Sequence, residues 1–286
     1  MKKTLSDLAV DYELTKEITP EYAYQIRYAV RRFELFLQRA AMVRDLSADA
    51  VNRWLKHERD SQEISDRSRA NVRTSLLTLW KYSGRSFQRE KIRSVVVTPR
   101  NPEAWHYDEL KLVADAATQL PGMLPNGIAR AKYFAALLWF TYETGLRRRD
   151  VWDFRLSQFD EQRRAALTQH KSKRVHVVTI TDETADELRS IAGRLATRND
   201  DRADRPLSWP QSVSQFYYWL RHCRTIAGVD ADVRNRSLQH VRRTGATQVQ
   251  SDGNHAWQFL GHSREGLDRK CYVDARKVVS PIVPQR

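Results

Sequence analysis

The residues best suited to chemistry fall into four short segments rich in cationic and hydrogen-bonding side chains. In chain order they are TGLRRRD (residues 144–150), QHKSKRVHVVTI (169–180), LQHVRRTGATQV (238–249) and LGHSREGLDRKCY (260–272). Arginine suits phosphate, because its planar guanidinium makes paired hydrogen bonds to two oxygens and keeps its charge. Cutting a phosphodiester through a protein nucleophile also needs a hydroxyl and an acid for the leaving alkoxide. No Asp, Glu and His cluster has the spacing of metal ligands, so we expect arginines in place of a metal.

The composition indicates a folded, strongly basic protein that binds a polyanion. The chain has 286 residues, of which 41% are hydrophobic, and its formal net charge is +14. This length allows two domains, and the hydrophobic fraction is typical of a globular chain. A charge of this size indicates a polyanionic partner, but it does not separate DNA from RNA or from an acidic membrane surface.

Targeting signals and cysteine usage predict a cytoplasmic protein. The N-terminal stretch MKKTLSDLAVDYEL lacks the apolar core of a signal peptide, and the longest apolar stretch, residues 133–140, is too short to cross a bilayer. The two cysteines, Cys223 and Cys271, form neither a disulfide framework nor a CxxC metal site. We therefore expect no membrane attachment and no metal.

The first part of the chain is predicted to be a bundle of four helices. In its second helix Thr19 is the expected N-cap and Pro20 opens the first turn. Apolar residues then recur every three or four positions from Tyr22 to Leu37, which indicates one buried face. Arg27 and Arg31 lie off that face, so we expect both to be exposed.

A linker and a mostly helical second part follow. Helical periodicity disappears between about Phe87 and Asn101, where prolines favour extended backbone. Residues 164–180 alternate polar and apolar side chains on both sides of a lysine-bearing turn, which predicts two antiparallel strands. The sequence therefore predicts a mainly α protein with a small antiparallel β-sheet, divided into domains 1–95 and 96–286.

The order and spacing of the four segments resemble the catalytic domain of the tyrosine recombinases, the phage-integrase family. The resemblance covers about residues 105 to 275. The helical first part is similar to the SAM-like core-binding domain of that family. The resemblance implies an N-terminal DNA-binding bundle followed by an α+β catalytic domain.

By motif match, Arg147 of TGLR is the first arginine of a phosphate clamp, and Asp150 is the acidic residue that orients it. Lys171, at the turn between the predicted strands, matches the catalytic lysine that protonates the leaving 5′ oxygen. Lys173 is a rival for this role, because a hairpin turn is easily misaligned by two residues. Arg148 is expected to face DNA or solvent.

The third segment has two possible registers. In the first, Arg242 is the second clamp arginine and Gln239 stands where the family has a histidine. In the second, one residue later, His240 and Arg243 supply a literal His-x-x-Arg. We favour the first register, because Val241 then fills the apolar position before the arginine and Arg243 is a basic, DNA-binding neighbour. Gln239 can donate a hydrogen bond to a phosphate oxygen but cannot carry a proton.

The fourth segment supplies the remaining two groups implied by the resemblance. His262 of LGHS matches the histidine that binds a non-bridging phosphate oxygen. Tyr272, ten residues later, matches the nucleophile. An ordinary phenol has a pKa near 10, but several nearby cations stabilise its phenolate. The residues expected to bind DNA are Arg27, Arg31, Arg148, Lys173 and Arg243. We expect no metal in the site.

The resemblance implies a site-specific recombinase or integrase that cuts double-stranded DNA through a 3′-phosphotyrosine. It further implies a homo-tetramer on DNA in the nucleoid-associated cytoplasm, without a cofactor, and is compatible with accessory DNA-bending or directionality factors. The setting is an integrative mobile element, a phage or a bacterial chromosome. Two alternatives stay open: a resolvase or topoisomerase-like strand transferase, and a catalytically impaired architectural DNA-binding protein, which only Gln239 favours.

Overall fold

Helices make up most of residues 3–98, 103–229 and 238–262, which the computed structural model describes. The chain divides into two compact units, Met1–Pro99 and Arg100–Arg286. None of the described helices is long and apolar enough to cross a bilayer.

The first unit is a bundle of four helices: α1 (Leu5–Lys16), α2 (Pro20–Leu37), α3 (Ala48–Ser61) and α4 (Asp66–Tyr82). Side-chain N-caps begin them, as the sequence predicts for Thr19, Ser47 and Ser65, each of which accepts a hydrogen bond from the backbone of the first turn. The mostly apolar interior also contains the polar residues Arg69, Ser75 and Glu58, and Glu58 is only 1% exposed. Glu58 is stabilised by Arg32 at 2.6 Å and by the indole N–H of Trp54 at 3.0 Å.

The second unit is built around a buried central helix. Its helices are α5 (Tyr107–Ala117), α6 (Arg130–Thr144), α7 (Arg148–Asp153), α8 (Asp182–Ala196), α9 (Val213–Ile226), α10 (Leu238–Ser251) and α11 (Ala256–Phe259). Helix α6 carries the apolar run of the sequence, and its Tyr133, Phe134 and Phe140 are fully buried. It packs against α5, α8 and α10. The buried residues of α6 extend to Thr144, so the core holds the end of the helix that leads into the arginine-rich segment.

One hairpin interrupts the helices of the second unit. Strands β1 (Arg164–Thr168) and β2 (Val175–Thr179) pair antiparallel, with Ala166 opposite Val177. Both strands alternate exposed and buried side chains, so one face packs on the core and the other meets solvent. The predicted fold class, mainly α with a small antiparallel sheet, is confirmed.

Candidate active site

Arg147 lies at a rigid corner between two helices. Helix α6 ends at Gly145, whose φ of 59° is in the left-handed region that favours glycine. A Cβ on Gly145 would lie 2.6 Å from the ring of Phe259, so the corner also needs the missing side chain. Leu146 is 1% exposed and anchors the chain in the core. Arg147 then serves as the N-cap residue of α7, directly after the buried Leu146.

The guanidinium of Arg147 is held by a buried glutamine that the sequence motifs did not single out. Arg147 donates from Nη1 to Oε1 of Gln169 at 2.8 Å. Gln169 follows β1 directly, is 1% exposed, and donates from Nε2 to the backbone oxygen of Leu260 at 3.1 Å. A lone glutamine at a strand end carries no recognisable motif, so only the three-dimensional contacts reveal its place in the site.

Arg242 reaches the same backbone oxygen from the opposite side. It lies on α10, is 1% exposed, and donates from Nη2 to the oxygen of Leu260 at 3.2 Å. The next residue, Gly261, has a φ of 63°, and a Cβ there would lie 2.7 Å from Nε2 of Gln169. The segment that carries Leu260 is thus packed directly on Gln169.

Lys171 lies on the loop between β1 and β2, where the loop backbone is fixed by several hydrogen bonds. The N–H of Lys173 donates to the oxygen of Gln169 at 2.9 Å, and Lys173 itself has a φ of 54°. The N–H of His170 donates to Oδ1 of Asp150 at 2.8 Å. Asp150 therefore positions the lysine loop. Its expected role in orienting Arg147 stays a prediction.

Arg147, Lys171 and Arg242 line one open cleft of about 320 Å³. Its walls are formed by Leu146, Arg147, Arg148, Arg149, Lys171, Tyr217, Leu238, Gln239 and Arg242. Among them Arg148 is fixed by its hydrogen bond to the hydroxyl of Tyr217 at 2.7 Å and by the ring of Trp152, 4.8 Å away. The cleft concentrates several cations, as the binding of a phosphate group requires.

The third segment presents only one of its two registers to the cleft. Gln239 is exposed and lines the cleft together with Arg242. His240 is 4% exposed and packs 6.1 Å from the ring of Trp105, while Arg243 is half-buried; neither lines the cleft. A phosphate in the cleft would therefore meet a glutamine and an arginine from this helix.

His176 is a further titratable group behind the arginines. It lies on the inward face of β2, is 6% exposed, and a Cβ on Gly261 would come within 2.8 Å of its ring. Burial lowers the pKa of His176, and the positive charges of Arg242 and Arg147 lower it further. Strand alternation alone could have shown that His176 points inward, but nothing in the sequence shows that it lies near the arginines.

Comparison with known proteins identifies the fold. No protein-family model and no curated protein sequence matches the chain. Solved structures do match. A lambda integrase tetramer bound to a Holliday junction gives a TM-score of 0.71 at 14% identity, over 99% of this chain and 81% of that one. XerH site-specific recombinase bound to difH gives 0.68 at 13% identity, over 93% and 81% of the two chains.

The Tn1549 transposon integrase in complex with a circular intermediate DNA gives a TM-score of 0.65 at 11% identity, over 92% of each chain. The fold is that of the tyrosine recombinases. At this level of identity the likeness shows the fold alone, and the roles of individual residues depend on the geometry of this chain.

Within the tyrosine-recombinase fold, the fourth segment is described only in part. His262 is half-buried and donates its backbone N–H to the oxygen of Trp257 at 2.8 Å. It follows Gly261, beside Gln169, but does not line the cleft. Tyr272 and Cys271 lie outside the described residues.

The remaining basic residues have separate surroundings. Arg27 is exposed and paired with Glu13 at 2.5 Å, and Arg31 is exposed beside Glu34 and Arg39 in a shallow groove of the first unit. Lys173 is exposed on the hairpin loop and does not line the cleft. Among the described residues, no group of three or more His, Cys, Asp and Glu side chains is arranged to hold a metal ion.

Proposed function

We propose that this protein is a site-specific DNA recombinase or integrase that cuts and rejoins double-stranded DNA through a 3′-phosphotyrosine. The observation that supports this most directly is the cleft shared by Arg147, Lys171 and Arg242. Two guanidinium groups and one ammonium group on a tyrosine-recombinase fold match the needs of phosphodiester cleavage. The proposal adds Tyr272 from the fourth segment as the nucleophile.

The proposed reaction has two transesterification steps. Arg147 and Arg242 bind the non-bridging oxygens of the scissile phosphate, and Gln239 donates a further hydrogen bond. The Tyr272 oxygen attacks phosphorus, so a tyrosine–phosphate bond forms while the bond to the 5′ oxygen breaks. Lys171 gives a proton to the departing 5′ oxygen. In the second step a 5′-hydroxyl attacks the phosphotyrosine, so the phosphodiester forms again and the tyrosine is released. No external energy source is needed, because the phosphotyrosine ester conserves the energy of the phosphodiester bond.

The similar structures support DNA as the substrate and a tetramer as the working assembly. They are bound to a Holliday junction, to a difH site and to a circular intermediate DNA. By analogy, we propose that this chain acts on duplex DNA in the nucleoid-associated cytoplasm as a homo-tetramer, and that it belongs to an integrative mobile element, a phage or a chromosome. Its net charge of +14 is consistent with such a partner.

The test is covalent capture of DNA on purified protein. A pool of nicked duplexes covering the DNA that flanks the gene is incubated with the wild type in EDTA, and adducts that survive denaturation are sequenced. Wild type should form an adduct at a defined sequence without metal, because the proposed clamp consists of guanidinium groups. Tyr272→Phe should bind the same DNA and form none, since only the hydroxyl is lost.

Two results would contradict the proposal. Adduct formation by Tyr272→Phe would mean that another residue is the nucleophile. Cleavage that fails in EDTA and returns with magnesium would indicate a metallonuclease.

Gln239 favours a second candidate, an architectural DNA-binding protein that no longer cuts. A glutamine lines the cleft where the resemblance implies a histidine, and it cannot transfer a proton. The same capture experiment separates the two candidates: an architectural protein binds the pool and yields no adduct under any condition.

A further inference from the structure

Gln169 is a buried polar side chain whose two ends contact different parts of the site. Its Oε1 accepts from Nη1 of Arg147 at 2.8 Å and from the hydroxyl of Ser172 at 3.0 Å. Its Nε2 donates to the backbone oxygen of Leu260 at 3.1 Å. A guanidinium only donates and a carbonyl only accepts, so the amide has one satisfied orientation. Reversing the amide would place donor against donor and acceptor against acceptor, which is costly in a buried site.

The oxygen of Leu260 joins this glutamine to the second arginine. Arg242 donates from Nη2 to the same oxygen at 3.2 Å. The two guanidinium groups are therefore connected through Gln169 and one backbone carbonyl. The two guanidinium groups repel each other, and ordering their long side chains costs rotamer entropy. The shared hydrogen bonds offset both costs.

Every group in this connection is neutral, and that has a chemical consequence. A carboxylate between the arginines would also fix their positions, but it would cancel positive charge that an anion needs. The amide of Gln169 supplies the hydrogen bonds without cancelling positive charge. The same residue closes the lysine loop, because its backbone oxygen accepts from Lys173 at 2.9 Å.

We infer that Gln169 is a positioning residue that sets the spacing and direction of Arg147 and Arg242 for one phosphate group, an inference whose part in DNA cleavage rests on the proposed function. It does not touch the substrate. It acts through the two arginines, and its effect falls on the binding of a phosphate in the cleft and on the rate of cleavage.

The first test needs no catalysis. Inorganic phosphate is titrated into the full-length protein while the guanidinium NMR signals of Arg147 and Arg242 are followed. In the wild type both signals should move with one dissociation constant. Gln169→Leu should raise that constant about tenfold and separate the two responses, because charge-assisted hydrogen bonds lose their alignment. Gln169→Glu should keep Arg147 ordered yet also weaken phosphate binding, because its carboxylate cancels charge.

A matched control lies at the other end of the hairpin. Gln162 is exposed and also accepts from an arginine, Arg164, at 3.2 Å. Gln162→Leu removes the same kind of bond outside the site and should leave the phosphate titration unchanged.

The second test measures single-turnover adduct formation on the captured DNA. Gln169→Leu should lower the maximal rate about 100-fold, comparable to losing an aligned donor to a reacting oxyanion, while the half-saturating DNA concentration stays within about twofold. A general loss of folded structure would change both quantities and the circular dichroism spectrum.

The outcomes separate this inference from the proposed function. If Gln169→Leu binds phosphate and cuts DNA like Gln162→Leu, the inference is overturned. If Gln169→Leu does not fold, Gln169→Asn decides on the same readouts, since it keeps a neutral amide that is one methylene too short to reach both Arg147 and the oxygen of Leu260. If the wild type forms no adduct, the proposed function fails, and the phosphate titration still decides whether Gln169 couples the two arginines.

Discussion

Lys171 and Lys173 lie two residues apart on the hairpin loop, but only Lys171 lines the cleft. If Lys171 is the acid, Lys171→Ala should slow cleavage by about 10²–10⁴-fold on ordinary DNA. A duplex with sulfur in place of the bridging 5′ oxygen should restore most of that rate, because a thiolate leaves without a proton.

Lys173→Ala is the matched control and should cut both duplexes at close to the wild-type rate. Rescue of Lys173→Ala rather than Lys171→Ala by the sulfur-containing duplex would assign the acid to Lys173. Adduct formation is followed over time by denaturing electrophoresis for each pair.

The burial of the His176 ring predicts that the stability of the protein depends on pH. Its pKa is lowered by burial and by the two arginines, whereas an unfolded histidine has a pKa of about 6.5. As the pH falls below that value, the unfolded chain takes up a proton first, so the contribution of His176 to stability is full above about pH 6.5 and declines below it.

His176→Gln removes this titration. The free energy of unfolding, measured with urea from pH 7 to pH 5, should fall less steeply than in the wild type, by at most about 1.4 kcal/mol per pH unit. The matched control is the same substitution at the exposed His57. An unchanged slope in His176→Gln would mean that His176 takes up its proton equally in both states.

At the scale of elements, two helical glycines have opposite surroundings. A Cβ on Gly245 of α10 would lie 2.4 Å from the backbone oxygen of Tyr142 on α6, and a backbone atom cannot turn away. A Cβ on Gly193 of α8 would have nothing within 4 Å. Gly245 thus allows α10, which carries Arg242, to approach α6 closely.

Gly245→Ala should therefore lower the free energy of unfolding by about 1–3 kcal/mol, as overpacking does. Gly193→Ala should raise it by about 0.5–1 kcal/mol, because alanine loses less backbone entropy in a helix. Both changes in the free energy of unfolding are measured by urea unfolding, with the same dependence on urea concentration (m-value) for the two variants. Equal effects of the two substitutions on the free energy of unfolding would show that α6 and α10 can move apart to accommodate the added methyl group without a loss of stability.

The elements were more predictable from sequence than the contacts that complete the site. Caps such as Thr19 and the alternation around Lys171 are local signals, and both predicted elements formed. The role of Gln169 is not predictable from the sequence, because one of its partners is the backbone oxygen of Leu260, directly after α11. A backbone oxygen carries no residue-type signal. The contact of Asp150 with the N–H of His170 is likewise not predictable from residue types, because a backbone group carries no sequence signal.

On the scale of the whole molecule, the large positive charge is partly engaged by acidic partners. Arg27, Arg39 and Arg59 are each paired with a carboxylate of the first unit. In contrast, Arg89, Lys91 and Arg93 are exposed along one open groove beside α4, and no ion pair of the described residues involves them. The groove is the better candidate for contact with DNA phosphates.

Replacing Arg89, Lys91 and Arg93 together by alanine should reduce the slope of log affinity against log salt by about two to three, since each phosphate contact contributes about 0.9. The triple replacement of Arg27, Arg39 and Arg59 removes the same charge and should reduce the slope less. Binding of a duplex is measured between low and moderate salt. Equal slopes of log affinity against log salt for the two triple variants would mean that the groove of Arg89, Lys91 and Arg93 is not a preferred contact with DNA.

The bridge from Arg147 through Gln169 to Leu260 joins parts of the chain that are made at different times. Synthesis proceeds from the N-terminus, so a nascent second unit exposes Arg147 and the hairpin well before α10 and Leu260 leave the ribosome. Until then the two guanidinium groups lack their shared hydrogen-bond partner, the oxygen of Leu260, and are not held together for one phosphate. The first unit, which precedes these segments in the chain, can meanwhile fold early. A prematurely terminated chain therefore retains a basic helical bundle yet lacks an assembled clamp. Under the proposed function, we expect such a chain to bind DNA and not to cut it.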